Sequence, residues 1–192
     1  MWPLSDPSKA SNWASAGERA LIAAAQSGSE GAVEELFQRH WPNTHRAAYL
    51  IVADAAAAED IAQEAFLSAL RALDRFDRRR PFAPWLHRIA VNRAIDWSRA
   101  RAIRREVAAS EPLLSSVADP EAPAEMGLGE SGEIEAALAK LSAEHRAAVV
   151  LRYLFDYTPG EIARILDLPR GTVNSRLRRA LDRLSVLLRE EP

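Results

Sequence analysis

Residues 106–133 constrain the fold more than any other stretch. They read EVAASEPLLSSVADPEAPAEMGLGESGE, with seven acidic side chains, no basic one and no sustained helical period. A stretch rich in Pro, Gly, Ser, Ala and Glu predicts an extended or disordered acidic linker. It divides the 192-residue chain into an N-terminal domain over 17–105 and a C-terminal domain over 134–192. Residues 1–16 read as a flexible tail. No segment of either half alternates apolar and polar residues, and Ala, Leu, Arg and Glu dominate. Both halves therefore predict helices, and the fold class is all-α. Spacing and stop signals place helices near 17–27, 30–53, 57–73 and 82–104, then near 134–140, 143–155, 159–167 and 170–189.

The formal charge of −2 hides a strong segregation. Residues 1–70 carry −5, residues 71–105 carry +8, residues 106–163 carry −8 and residues 164–192 carry +3. All but two of the 25 basic residues are arginine, whose planar fork matches phosphate and guanine. Two basic blocks flanked by acidic ones suit a protein that meets both nucleic acid and another surface. There is no cysteine, which excludes disulfides and cysteine-bearing metal sites. The four histidines are scattered, so no metal or cofactor is expected. No apolar run approaches the roughly 18 residues of a membrane span, and Met1 to Ala16 lacks a secretory pattern. A cytoplasmic protein without membrane insertion is expected.

Thr158-Pro159-Gly160-Glu161 is a capping box with proline at the first helical position. A short turn at Asp167-Leu168-Pro169 separates that helix from a second one, whose apolar stripe reads Val173, Leu177, Leu181, Leu184 and Leu188. Two helices joined this way form a helix-turn-helix, which lays its second helix in the major groove. At ~100° per residue, Ser175, Arg178 and Arg179 point away from the Val173/Leu177 side, flanked by Asn174 and Arg176. Arginine bonds guanine and asparagine bonds adenine, while Arg170 and Thr172 at the helix start are placed for phosphate.

In the N-terminal half, Arg75, Phe76, Arg78, Arg79 and Arg80 form a basic loop with one aromatic inside it. Cations that track phosphates beside rings that stack on bases suit single-stranded nucleic acid. The helix after it sets Phe82, Leu86, Ile89, Ala90 and Trp97 broadly on one side and a polar stripe, Arg88, Asn92, Asp96 and Arg99, on the other. In the helix near 57–73, Ile61, Ala65, Phe66, Ala69, Leu70 and Leu73 form the inner arc. Asp60, Gln63 and Glu64 face outward with Leu67 among them, and an apolar side chain in a polar face hints at a protein partner.

Three segments together resemble the sigma-70 family of transcription initiation factors. Ala58 to Leu67 is similar to its core-binding region. Phe82 to Trp97 resembles its promoter-melting region, and Leu168 to Leu177 resembles its DNA-reading helix. Their order, and the linker between two domains, resemble the extracytoplasmic-function group. The resemblance implies a non-enzymatic subunit that binds bacterial core RNA polymerase and directs promoter-specific initiation. Asp60, Gln63, Glu64 and Leu67 would match the surface docking on polymerase. The loop residues Arg75, Phe76, Arg78, Arg79 and Arg80, with the stripe Arg88, Asn92, Asp96 and Arg99, would match the minus-ten surface, which holds the melted strand and a flipped base. Arg170, Thr172, Asn174, Ser175, Arg176, Arg178 and Arg179 would match the minus-thirty-five reader of duplex promoter DNA. The linker would lie in the polymerase's nucleic-acid channel, and a separate anti-sigma factor would supply regulation. Asn174 departs from the family pattern, which usually has Lys or Arg there. A stand-alone helix-turn-helix regulator needs only the C-terminal motif. A helical enzyme using Glu59, Asp60 and Glu64 with a histidine lacks any phosphate loop or nucleophile motif.

Overall fold

The computed structural model describes residues 17–110 and 130–189. The tail 1–16, residues 190–192 and the greater part of the acidic stretch, 111–129, lie outside the described residues. Among the described residues there are eight α-helices and no strand. They are α1 (Glu18–Gln26), α2 (Glu30–Val52), α3 (Ala55–Ala72), α4 (Phe82–Ser110), α5 (Glu130–Ala139), α6 (Ala143–Tyr153), α7 (Pro159–Leu166) and α8 (Arg170–Leu187), with a 3-10 turn at Leu73–Arg75.

Local chemistry sets the boundaries. Gly28 takes φ +86, a left-handed conformation that suits glycine, and ends the first helix. Ser29 then accepts a hydrogen bond from the Ala32 N–H, and Asp54 from the Ala57 N–H, capping α2 and α3. Ser142 caps α6 through the His145 N–H. The helix α4 runs through Ser110, five residues into the stretch read as linker, and α5 starts within it at Glu130. Glu106, Ala108 and Ala109 are strong helix formers. Extending an existing helix adds one hydrogen bond per residue without a new nucleus.

The first core lies inside the N-terminal half, where Leu21, Ile22, Leu36, Phe66, Leu73, Phe76, Phe82, Leu86 and Ala90 pack together. The second joins the two halves. Ala47, Ala48 and Ile51 of α2, Ile61 of α3, and Val91, Ala94 and Ile95 of α4 meet Ala147, Ala148 and Leu151 of α6, Ile162 and Ile165 of α7, and Val173 and Leu177 of α8. Alanines on α2 and α6 let those backbones approach closely. The helix α4 therefore buries apolar residues toward both cores, and its apolar residues spread around the axis rather than along one stripe.

A polar and aromatic seam completes the junction. His87 of α4 is only 4% exposed. Its ring stacks on Phe155, with centroids 3.8 Å apart and planes at 17°. Its Nδ1 shares a 2.9 Å hydrogen bond with the Tyr157 hydroxyl. Phe155 and Tyr157 sit in the turn between α6 and α7, where Asp156 takes φ 55. Burial, with a smaller contribution from His40, pushes His87 down to about 3. Burial, then Glu161 and Glu18, pushes Tyr157 up to about 12. Two ion pairs also bridge the halves: Arg99 Nε donates to Glu144 Oε1 at 2.8 Å, and Arg46 lies 3.8 Å from Glu135.

Two predictions follow from this packing. Phe82 is 1% exposed, so Phe82→Ala leaves a cavity and is expected to lower unfolding free energy by about 3–5 kcal/mol. Urea titration measures this, and an unchanged midpoint would contradict the core assignment. The second concerns pH. The depressed imidazole of His87 stays neutral in the folded chain, so its contribution is complete above its ordinary value of 6.5 and is lost as pH falls toward about 3. Across that window the unfolded chain binds a proton that the folded chain refuses, a slope of up to about 1.4 kcal/mol per pH unit. Denaturation at pH 6.5 and pH 5 should show a smaller loss for His87→Phe than for the parent chain. Equal losses would place His87 outside the linkage.

Candidate nucleic-acid interface

The helix-turn-helix is built by the capping box. The Thr158 hydroxyl accepts from the Glu161 N–H at 3.3 Å and donates to Glu161 Oε2 at 2.7 Å. The Glu161 carboxylate also accepts from the Thr158 N–H at 2.8 Å. These hydrogen bonds, the side-chain one first, hold the Glu161 carboxyl below its ordinary value. Ile162, Ile165 and Leu166 are buried behind the box. Asp167 adopts φ 54, and the Leu168 N–H closes the turn on the Ala163 carbonyl at 2.9 Å. The chain then enters α8.

On α8, Arg170, Asn174, Arg178 and Arg179 are exposed, while Thr172, Ser175 and Arg176 are half-buried. The Ser175 hydroxyl donates to the Thr172 carbonyl at 2.9 Å, so it is engaged with its own helix. The expected apolar stripe holds only for its first half. Val173 and Leu177 are buried, but Leu181 is 41% and Leu188 44% exposed, and Ala180 and Leu187 are buried instead. The inward line runs 173, 177, 180, 184, 187, with Leu184 partly buried against the small cluster of Leu138, Leu141, Val149 and Ala180. Leu181 and Leu188 each lie one residue, ~100°, further round the helix. At the first of these places leucine outranks alanine in hydrophobicity, so the sequence alone favours the wrong neighbour; Leu187 and Leu188 are the same residue type, and only the angle separates them.

On α3, Asp60, Gln63, Glu64 and Leu67 are all exposed on the outer face. Ala57, Ala58, Ile61, Ala62, Ala65, Phe66 and Ala69 are buried behind them, while Leu70 is only half-buried. Gln63 donates to Glu59 at 3.2 Å. Arg93 of α4 reaches Glu64 at 2.5 Å and the Ser68 hydroxyl at 2.8 Å, joining this face to the next helix. Nothing in the sequence marks Arg93 for that role, because its partners lie 25 and 29 residues away.

The loop before α4 presents Arg75, Arg78, Arg79 and Arg80 to solvent. Phe76, expected among the nucleic-acid contacts, is instead 8% exposed. Its ring meets Phe82 edge-on at 5.7 Å and Trp85 at 4.6 Å. Gln26 Nε2 donates to the Phe76 and Leu73 carbonyls, at 3.0 and 2.8 Å, fastening the start of the loop to α1. Phe76 is thus the anchor of the basic loop, its apolar area drawn into the first core. Asp77 turns the loop by accepting from the Arg79 N–H at 2.9 Å. Of the α4 stripe, Arg88, Asp96 and Arg99 are exposed and Asn92 is half-buried. A cavity of about 430 Å³ opens beside the loop, lined by Arg75, Arg80, Trp85 and Arg88, and on its other side by Glu161 and Arg164 of α7. Burial, the largest single influence, pulls the Glu144 carboxyl upward, but the hydrogen bond from Arg99, the backbone hydrogen bond, the charge of Arg99 and the Ser142 hydrogen bond together leave the group below its ordinary value.

Among the described residues no group of three or more His, Asp or Glu could hold a metal ion, and no helix is long and apolar enough to cross a membrane.

Comparison with known proteins agrees with this layout. Sigma-70 region 2 matches residues 36–104, and Sigma-70, region 4 matches residues 131–184. The chain is 34% identical over 172 residues to the ECF RNA polymerase sigma factor SigW of Bacillus subtilis, covering 85% of this chain and 92% of that one. It is 37% identical over 168 residues to the ECF RNA polymerase sigma factor SigM of Mycobacterium tuberculosis, covering 88% and 83%. The structure of CnrH in complex with the cytosolic domain of CnrY matches with a TM-score of 0.66 and 31% identity, over 91% of this chain and 99% of that one. The sigma factor RpoE of Bartonella quintana, solved with the anti-sigma factor NepR, matches with a TM-score of 0.63 and 26% identity, over 83% and 98%. With two family regions in order and full-length relatives at this identity, the chain belongs to the extracytoplasmic-function sigma factors of the sigma-70 family, which act with RNA polymerase in promoter-specific transcription initiation.

Proposed function

We propose that the exposed faces divide this work among named residues. Asp60, Gln63, Glu64 and Leu67 of α3 dock on core RNA polymerase. Arg75, Arg78, Arg79 and Arg80, with Arg88, Asn92, Asp96 and Arg99, hold the minus-ten element and its melted strand. Arg170, Thr172, Asn174, Arg176, Arg178 and Arg179 engage the minus-thirty-five duplex, with Ser175 supporting the helix from within. The N-terminal unit is residues 17–105 and the C-terminal unit 134–192. The protein works in the cytoplasm without catalysing a reaction of its own. The observation that carries this reading is the separation of faces: an acidic, leucine-bearing surface on α3 and arginine-rich surfaces on the loop, α4 and α8. An apolar side chain ringed by carboxylates suits a basic protein partner, and exposed arginines suit phosphates and guanine edges.

The relatives solved with anti-sigma factors support a regulator of the same kind here. Capture by a separate anti-sigma protein competes with polymerase for a limited exposed surface.

Reconstitution tests the assignment. Full-length protein added to core polymerase should give promoter-specific transcripts from genomic DNA, and their absence would overturn it. Asp60→Lys with Glu64→Lys should weaken binding to core polymerase at least tenfold, with unfolding free energy changed by no more than about 1 kcal/mol, since the pairs removed are exposed. Binding of the double variant at parental affinity would remove α3 from the docking surface. Arg178→Ala and Arg179→Ala should each lose about 1–3 kcal/mol of discrimination at the minus-thirty-five element while leaving the docking affinity unchanged. Transcription from promoters with altered minus-thirty-five bases measures this.

A further inference from the structure

The basic loop is held at both ends by α1, a helix that carries none of the residues proposed to contact polymerase or promoter. Leu21 and Ile22 are fully buried and fix α1 against the first core. Glu18, Ile22 and Gln26 follow at intervals of four, so the two polar side chains flank the buried one on the same side, about 12 Å apart at 1.5 Å per residue. Gln26 Nε2 donates to the Leu73 carbonyl at 2.8 Å and to the Phe76 carbonyl at 3.0 Å, which engages both hydrogens of the amide with the start of the loop. Glu18 Oε2 accepts from the Phe82 N–H at 3.3 Å, where the loop passes into α4. That N–H is one of the donors a helix start leaves without a partner in its own helix, and a carboxylate there also suits the positive end of the helix dipole. The other Glu18 oxygen lies 3.3 Å from His40 Nε2 of α2, and the His40 ring packs against the Phe82 ring with centroids 5.1 Å apart.

Only residues 77–81 lie between the two held points, and Arg78, Arg79 and Arg80 are three of these five. Like charges so close repel, and a loop free at its ends would spread them. The chain instead turns tightly. Asp77 accepts from the Arg79 N–H through its side chain and from the Arg80 N–H through its carbonyl, both at 2.9 Å. We propose that α1 is a positioning clamp for the minus-ten surface: Gln26 and Glu18 hold the two ends of the basic loop in the form that receives the melted strand. The inference rests on the assignment of the loop to the minus-ten element. Neither side chain need touch DNA. Both act through the loop, by removing beforehand the conformational freedom that binding would otherwise have to remove. Flipping and holding a base already carries an unstacking cost, so a loop that must also be ordered at that step slows it. Docking through α3 and duplex recognition by α8 do not involve the loop, so the clamp acts on the melting step.

Melting kinetics of the full chain bound to core polymerase test the clamp. The probe is a promoter fragment from which the parent initiates, with a fluorescent base analogue in the minus-ten non-template strand. Varying the polymerase concentration separates the initial binding constant from the rate of melting. Gln26→Leu keeps the bulk of the side chain and removes both donors, and should slow melting about tenfold. Glu18→Leu should slow it about fivefold, while Glu18→Gln, which keeps an acceptor for the Phe82 N–H, should melt promoter at close to the parental rate. Ser27→Ala, whose hydroxyl bonds the Ala23 carbonyl of its own helix, is the control and should match the parent. Initial binding and affinity for core polymerase should stay within about twofold for every variant, whereas a general loss of structure lowers them together with melting. Parental melting rates for Gln26→Leu and Glu18→Leu overturn the clamp, and so does an equal loss in initial binding and in melting. Should Gln26→Leu unfold the chain, Glu18→Leu and Glu18→Gln decide the matter, and equal rates for those two overturn the clamp. Arg78→Ala and Arg79→Ala mark the other failure. A parent that gives promoter-specific transcripts, with both arginine variants melting promoter at the parental rate, removes the loop from the minus-ten surface and the clamp with it. Slow melting by the arginine variants beside a parental rate for Gln26→Leu removes only the clamp.

Discussion

The helix α4 is the element on which the rest of the structure depends, because it buries apolar side chains toward two cores at once. Phe82, Leu86 and Ala90 close the core of the N-terminal half, and Val91, Ala94 and Ile95 close the core shared with α6, α7 and α8. A helix committed on two sides has only a narrow arc left for solvent. Arg88, Asp96 and Arg99 occupy that arc. The proposed nucleic-acid stripe and the junction of the halves are therefore consequences of one arrangement, and the polar stripe cannot be separated sterically from the packing that flanks it.

The double burial also explains what was and was not legible in the sequence. Helix existence, the capping box at Thr158–Glu161 and the outer face of α3 were readable because each depends on residues three or four positions apart. The meeting of the halves was not readable. The residues that make it, Ala47, Ile51, Val91 and Ile95, are ordinary apolar positions whose partners lie far along the chain, beyond an acidic stretch with no structural period. His87 was invisible for the same reason. A lone histidine on an apolar helix gives no sign of a ring stacked on it from residue 155.

Two features of the sequence point away from the observed packing. Phe76 sits among arginines, yet Phe82 and Trp85, six and nine residues further along the chain, supply an apolar site for it. Leucine is a stronger hydrophobe than alanine, yet Ala180 holds the inward angle and Leu181 does not; Leu187 and Leu188 are the same residue type and differ only in angle. In both cases geometry outweighs side-chain type. A loop needs an anchor as much as it needs a ligand, and a small residue at the correct angle packs where a large one a position away cannot.

Charge segregation acquires a second meaning in the folded chain. The sequence suggests that acidic blocks face protein and basic blocks face nucleic acid. In the structure, members of the acidic 106–163 block lie against the basic 71–105 block: Glu144 pairs with Arg99, and Glu161 shares a cavity with Arg75, Arg80 and Arg88. A carboxylate at such a position resembles a phosphate in charge and in hydrogen-bonding capacity. Glu144 thereby offsets one arginine of the basic block within the folded chain. A net charge of −2 is thus not evidence of weak electrostatics in this protein; it is the sum of sequence blocks of opposite sign.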